Sequence, residues 1–203
     1  MNVAVLASGA GTNLQALIDQ LHGRDGLAIV AVASDRPEAP ALARAAAAGI
    51  PSRVFPRAEH GGDRAARDRA MAGWLTEAGA ELVVLAGYMQ LVSPAFLGAF
   101  PDRVINVHPA LLPAFPGLDA VGQALDYGVK VFGVTVHLVD AGVDSGAILL
   151  QQTVALPEAR TRAEVQAALA PIEHALLPAA VRAFADGRVR RDPAHPRRVV
   201  LEQ

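Results

Sequence analysis

The sequence predicts an α/β fold with a mostly parallel central sheet flanked by helices. Two observations carry this. Short apolar and β-branched runs alternate with alanine-rich stretches long enough for helices, the pattern of crossover units. The run Leu82–Leu85 is apolar on consecutive residues, as in a strand covered on both faces.

In chain order, strands are expected at Val3–Leu6, Ile29–Val32, Val54–Phe55 and Leu82–Leu85, with helices around Leu14–Leu21, Ala41–Ala48 and Ala65–Ala78 between them. A further strand is expected at Val104–Val107, stopped by Pro109. Phe132–Val139 and Ala147–Val154 then read as two strands with little helix between them, followed by a long helix from about Arg162 to Ala185. Gly187 stands where a helix stop belongs. The remainder carries Arg188, Arg190, Arg191, Arg197 and Arg198 with two prolines, and reads as a solvated basic tail. No repeat or linker divides the chain, so one domain over residues 1–187 with a tail at 188–203 is expected.

With 203 residues and 52% hydrophobic side chains the chain can bury a substantial core, yet no apolar run approaches a membrane span. The first strand follows Met1-Asn2 directly, which argues against a signal peptide. The lack of cysteine excludes disulfides, thiolate zinc sites and a cysteine nucleophile, and the expected compartment is the cytoplasm. A net charge of −2 gives no electrostatic reason to expect nucleic acid as a partner.

Function is written most densely in Val104-Ile-Asn-Val-His-Pro-Ala-Leu-Leu-Pro113. Residues two apart on a strand share a face, so Asn106 and His108 are expected to project together at the strand's C-terminal end, where open α/β sheets hold ligands. An amide donates to a developing oxyanion, and an imidazole moves a proton near neutral pH. Ala7-Ser8-Gly9-Ala10-Gly11-Thr12-Asn13 joins the first strand to the first helix. Its glycines let backbone amides approach an anion at the helix N-terminus, with Thr12 or Asn13 as a cap or a phosphate donor. Leu14 stands where a dinucleotide fingerprint needs its third glycine, so a terminal phosphate fits better than a pyrophosphate. Thr135 and His137 share a strand face, and Asp144 lies in the glycine-flanked loop beyond. Its carboxylate is suited to orienting His108 and stabilising the protonated ring, directly or through water. His137 reads equally well as part of that network or as a structural hydrogen bond. A His/His/Asp metal site is disfavoured because Asn106 is a poor zinc ligand and no compact ligand motif is present, so no metal is expected.

These segments, together with Leu85-Ala86-Gly87-Tyr88-Met89 and Asp144-Ser145-Gly146, make the chain resemble the folate-dependent, single-domain phosphoribosylglycinamide formyltransferases from Met1 to about Asp186. The resemblance implies a Rossmann-like formyltransferase fold. It also implies transfer of a formyl group from 10-formyltetrahydrofolate to the amino group of glycinamide ribonucleotide, in de novo purine biosynthesis. Asn106, His108 and Asp144 match the family's catalytic trio. Gly11, Thr12 and Asn13 match its phosphate loop, and Glu173 a ribose-holding residue. Arg64, the segment Tyr88, Met89, Gln90, Leu91 and Val92, and the loop with Val139, Asp140, Ala141 and Val143 correspond to the folate-holding region. Partners implied are small molecules, with neither nucleic acid nor membrane, and the protein is expected to be a monomer or a homodimer. Two positions depart from the pattern: Asp119 stands where many relatives have histidine, and Ala168-Leu169-Ala170 where a basic residue is common. Formyltetrahydrofolate hydrolases and methionyl-tRNA formyltransferases share the Asn-x-His-Pro segment. The first usually has an extra N-terminal domain and the second an extra C-terminal one, so the length of this chain favours neither.

Overall fold

The N-terminal unit, Met1–Asn106 of a computed structural model that describes residues 1–202, is assembled from crossover units. β1 (Asn2–Leu6), α1 (Thr12–Leu21), β2 (Ala28–Ser34), α2 (Pro40–Ala47) and β3 (Ser52–Val54) are followed by α3 (Arg64–Glu77), β4 (Leu82–Leu85), α4 (Pro94–Ala99) and β5 (Val104–His108). The strands lie in the order β3-β2-β1-β4-β5, and each neighbouring pair is parallel. Val3, Leu6, Leu82, Val83 and Val84 are buried, as their unbroken apolar runs require, with Leu14, Leu17, Met71 and Leu75 of the helices. Each such side chain contributes roughly 1.5–3 kcal/mol by leaving water. The chain leaves β1 toward β2 on one side and returns to β4 on the other. The C-terminal ends of β1 and β4 therefore form the topological switch point at which open sheets bind ligands.

The second unit begins at Val107. It contains α5 (Ala120–Tyr127), β6 (Val131–Leu138), β7 (Ile148–Ala155), α6 (Arg162–Ala185), β8 (Val189–Asp192) and β9 (His195–Leu201). β6 and β7 run antiparallel, with a register shift between Val136 and His137 that re-aims the end of β6. Thr161 and Glu164 cap α6 reciprocally, and its Val165, Leu169, Leu177 and Val181 are buried.

Most expected elements are present within a residue or two. The division between units falls inside β5, where composition offers no linker. α4 and α5, of six and eight residues, were not expected, because neither carries the alanine-rich run that marks the equally short α2. The segment expected to be a solvated tail instead pairs as an antiparallel β8–β9 ribbon. β9 also meets β7 through Ile148 and Arg198, because the free edge of β7 offers unpaired backbone groups to a following strand. Its side chains are mostly exposed, which is why its composition resembles that of a tail. Among the described residues, no helix is long and apolar enough to cross a membrane.

Candidate active site

The turn after β5 is fixed by Thr135 of β6. Its hydroxyl donates to the Ala110 carbonyl at 2.6 Å and accepts from Leu112 N at 3.1 Å and Gln151 Nε2 at 2.9 Å. One donor and two acceptor sites are thereby filled, so the backbone from Ala110 to Leu112 is tied to buried β6. His108, only 5% exposed, is held just before that turn. Its Nε2 lies 2.8 Å from the Phe115 carbonyl oxygen, which can only accept, so Nε2 carries a proton and donates it. Its Nδ1 faces Asp144 Oδ2 at 3.4 Å.

Asp144 meets more than His108. Oδ2 also accepts from Gly117 N at 2.8 Å, and Oδ1 lies 3.5 Å from His137 Nε2. His137 Nδ1 sits 2.7 Å from the Leu138 carbonyl and donates to it. Each imidazole thus spends one N–H on a carbonyl and turns its other nitrogen toward one shared carboxylate. A neutral ring satisfies one of those two neighbours, whereas an imidazolium satisfies both. Burial alone would raise the Asp144 pKa. The His137 hydrogen bond, the Gly117 amide and the charges of His108 and His137 outweigh it and hold the carboxyl below its ordinary value. Asp144 is therefore an anion at neutral pH. Sequence left His137 open between two roles, and the structure puts it against the same carboxylate as His108.

The loop bearing Asp144 is built for a tight turn. Asp140 accepts from Gly142 N at 3.0 Å and Ser145 Oγ at 2.7 Å, and Asp144 itself adopts φ 47°. A Cβ at Gly146 would run into the Leu138 carbonyl oxygen. Val139 is half-buried, while Asp140, Ala141 and Val143 are exposed along the rim. A cavity of about 320 Å³ beside Asp144 is walled by Leu112, Pro113, Pro116 and Val143, and Arg197 of β9 reaches its edge. By sequence Arg197 reads as a tail residue, and nothing local signals its return to this cavity. Asp119 caps α5 through Gly122 N and pairs with Arg162, so at this position, one of the two departures noted in the sequence, the side chain acts as a structural brace. Glu173 lies half-buried on α6.

In the first unit, Asn106 ends the pairing of β5 with β4, opposite Leu85, and is half-buried. It shares β5 with His108, two residues on. The glycine loop turns at Gly11, whose φ of 71° places a would-be Cβ 2.8 Å from Ala41. Gly11, and not Thr12 or Asn13, is the N-cap of α1, and no side chain caps that terminus. In that first turn Thr12 is exposed and Asn13 buried. Arg44 of α2 donates to the Ala10 carbonyl at 2.8 Å and to Gln15 Oε1 at 3.0 Å, a brace with no sequence signature. Arg64 is exposed on the first turn of α3. In the turn after β4, Tyr88 and Val92 are buried, Gln90 is half-buried, and Met89 and Leu91 are exposed.

The sequence pattern of the formyl transferase family matches residues 1–181. The chain belongs to that family. It is 44% identical over 183 residues to a phosphoribosylglycinamide formyltransferase of Mycobacterium tuberculosis, covering 90% of this chain and 84% of the relative. The enzyme of the same name from Bacillus subtilis is 40% identical over 180 residues, covering 88% of this chain and 92% of its own. The crystal structure of a glycinamide ribonucleotide transformylase from Symbiobacterium toebii superposes with a TM-score of 0.94 at 45% identity, over 100% of this chain and 94% of that one. This formyl transferase therefore carries the α/β fold expected from its sequence.

Proposed function

We propose that this formyl transferase moves a formyl group from 10-formyltetrahydrofolate to the amino group of glycinamide ribonucleotide. The observation that carries the reading is His108, two residues from Asn106 on β5 and 3.4 Å from the Asp144 carboxylate, in a chain of this family. The amine attacks the formyl carbon directly, so no covalent enzyme intermediate is formed. A C–N bond forms, the formyl oxygen takes negative charge, and the bond to N10 of the folate then breaks. One proton leaves the attacking amine and one reaches N10. Asn106 and the Nε2–H of His108 donate to the oxyanion, and the Asp144 charge sustains the imidazolium. That Nε2 lies 2.8 Å from the Phe115 carbonyl oxygen, and donation to the oxyanion takes the place of this contact.

The ribonucleotide phosphate is assigned to Gly11, Thr12 and Asn13 at the N-terminus of α1, where the left-handed Gly11 opens the helix, and its ribose to Glu173. The folate is assigned to Arg64, the Tyr88–Val92 turn and the loop with Val139, Asp140, Ala141 and Val143. The reading extends to a cytoplasmic protein, which the cysteine-free sequence supports, acting as a monomer or homodimer.

Absorbance-monitored consumption of 10-formyltetrahydrofolate, with and without glycinamide ribonucleotide, tests this. Turnover is expected only with the ribonucleotide. Consumption of donor without it would mean a hydrolase, and no consumption in a folded, folate-binding protein would mean a silent relative. Asn106→Ala and His108→Ala should each lower turnover by at least about 10²-fold, the usual loss for one oxyanion donor.

A further inference from the structure

The turn that follows β4 is fastened at both ends by buried polar groups that the reaction does not use. Arg67 and Asp68 of α3 are both fully buried, an arrangement that is costly unless every charge is well placed. Arg67 donates from Nε at 2.9 Å and Nη2 at 2.7 Å to Asp68 Oδ1. Asp68 Oδ2 accepts from Ser93 N at 2.5 Å, which pins the end of the turn. At its start, Met89 N donates to Ser8 Oγ at 2.8 Å, and Ser8 in turn donates to Asp35 Oδ1 at 2.5 Å. Tyr88 lies between these anchors with its hydroxyl buried, and neither that hydroxyl nor Arg67 Nη1 has a hydrogen-bond partner among the described residues. Burial raises the Tyr88 phenol above its ordinary pKa. Arg67 opposes the rise and Asp35 and Asp68 add to it, so the ring is neutral and within electrostatic range of the pair. Between the anchors, Met89 and Leu91 stand 52% and 53% exposed. Two large apolar side chains are thus presented to solvent on a turn hydrogen-bonded at both ends, an arrangement suited to packing against the face of a flat ring.

We propose that Arg67 and Asp68 are positioning residues for the formyl donor: they hold Ser93, and with it the Met89–Leu91 crown, where the donor's ring system packs. This rests on the assignment of the Tyr88–Val92 turn to the folate. An aspartate is required because both carboxylate oxygens accept, one from Arg67 and one from Ser93 N. An amide has a single acceptor and breaks one of the two links in either orientation.

Asp68→Asn is therefore the smallest sufficient perturbation. In protein verified as folded by circular dichroism, the donor KM and the Kd for tetrahydrofolate should rise about tenfold, as for one lost charge-assisted hydrogen bond. The ribonucleotide KM should stay unchanged, and kcat should stay within about threefold. If Asp68→Asn unfolds below the assay temperature, the double variant Arg67→Met/Asp68→Leu buries no charge, still removes the acceptor for Ser93 N, and should give the same split. An unchanged donor KM in the folded variant overturns the proposal, as does a ribonucleotide KM that rises equally, the mark of general loosening. Leu91→Glu isolates the underlying assignment. A donor KM unmoved by a charge on the crown would remove the turn from the donor site, whatever Asp68→Asn does.

Discussion

Replacing Asp144 by asparagine removes a charge while sparing most of the geometry around it. The amide oxygen can keep the 2.8 Å bond from Gly117 N, and the amide NH2 can face His137, whose Nδ1 already donates to Leu138. What disappears is the attraction between a carboxylate and a His108 imidazolium at 3.4 Å. At that distance Coulomb's law gives about 5 kcal/mol for an effective dielectric of about 20, and about 1 kcal/mol for bulk water. The Asp144 side chain is 15% exposed, between those limits, so about 3 kcal/mol is a fair central value. Each 1.4 kcal/mol or so is a factor of ten in rate, so kcat should fall about 10²- to 10³-fold. Both KM values should change little, because the lost interaction is made chiefly as the proton arrives on His108. Steady-state formyl transfer at neutral pH, on protein with native circular dichroism, measures this. A folded Asp144→Asn variant with kcat within about threefold of native would refute the role of the charge, and with it the account of why His108 faces a carboxylate.

The same carboxylate makes stability depend on pH. Its folded pKa lies below the ordinary value, so its contribution is fully present above the unfolded value and is lost as pH falls through the folded one. The difference in Tm between native protein and Asp144→Asn should be constant above about pH 5 and shrink below about pH 4; a difference that grows on acidification would reverse the sign. Gly146→Ala drives a Cβ into the Leu138 carbonyl and should cost more than about 3 kcal/mol in urea unfolding. A loss under about 1 kcal/mol would mean that the loop shifts freely. Asp119→Ala loses the α5 cap and an exposed ion pair, and should cost about 1 kcal/mol of stability. Its kcat should stay native, and a large fall would return a chemical role to that position.

The parallel half of the fold was legible because its signal is repeated. β1, β2 and β4 are largely buried and so read as unbroken apolar runs, and of the helices between them α1 and α3 have ten or more residues and α2 is alanine-rich. α4 and α5 were illegible because six to eight residues hold about two turns without the alanine-rich run that marks α2, and their starts depend on side-chain caps from Ser93 and Asp119. The β8–β9 ribbon was misread for a different reason. Its order comes from backbone pairing with β7 rather than from burial, and hydropathy records only burial.

The site divides along the same line. His108 and Asp144 could be singled out in the sequence because the proposed chemistry asks for a particular residue type at each, and the structure has them 3.4 Å apart. The residues that hold them, Thr135 under the Ala110–Leu112 turn and Gly117 beneath Asp144, do so with one hydroxyl and one backbone amide. Such groups occur throughout any chain, and nothing local marks the ones that matter. Asp68 and Arg67 extend the point, since two adjacent charged residues on a helix normally read as a solvated face, yet here both are fully buried. Chemistry is therefore legible where it demands a residue type, and positioning is not, because it demands a place. A charged pair with no exposure beside a turn with exposed apolar side chains is the structural sign of such positioning, which makes Asp68 as informative a target as His108.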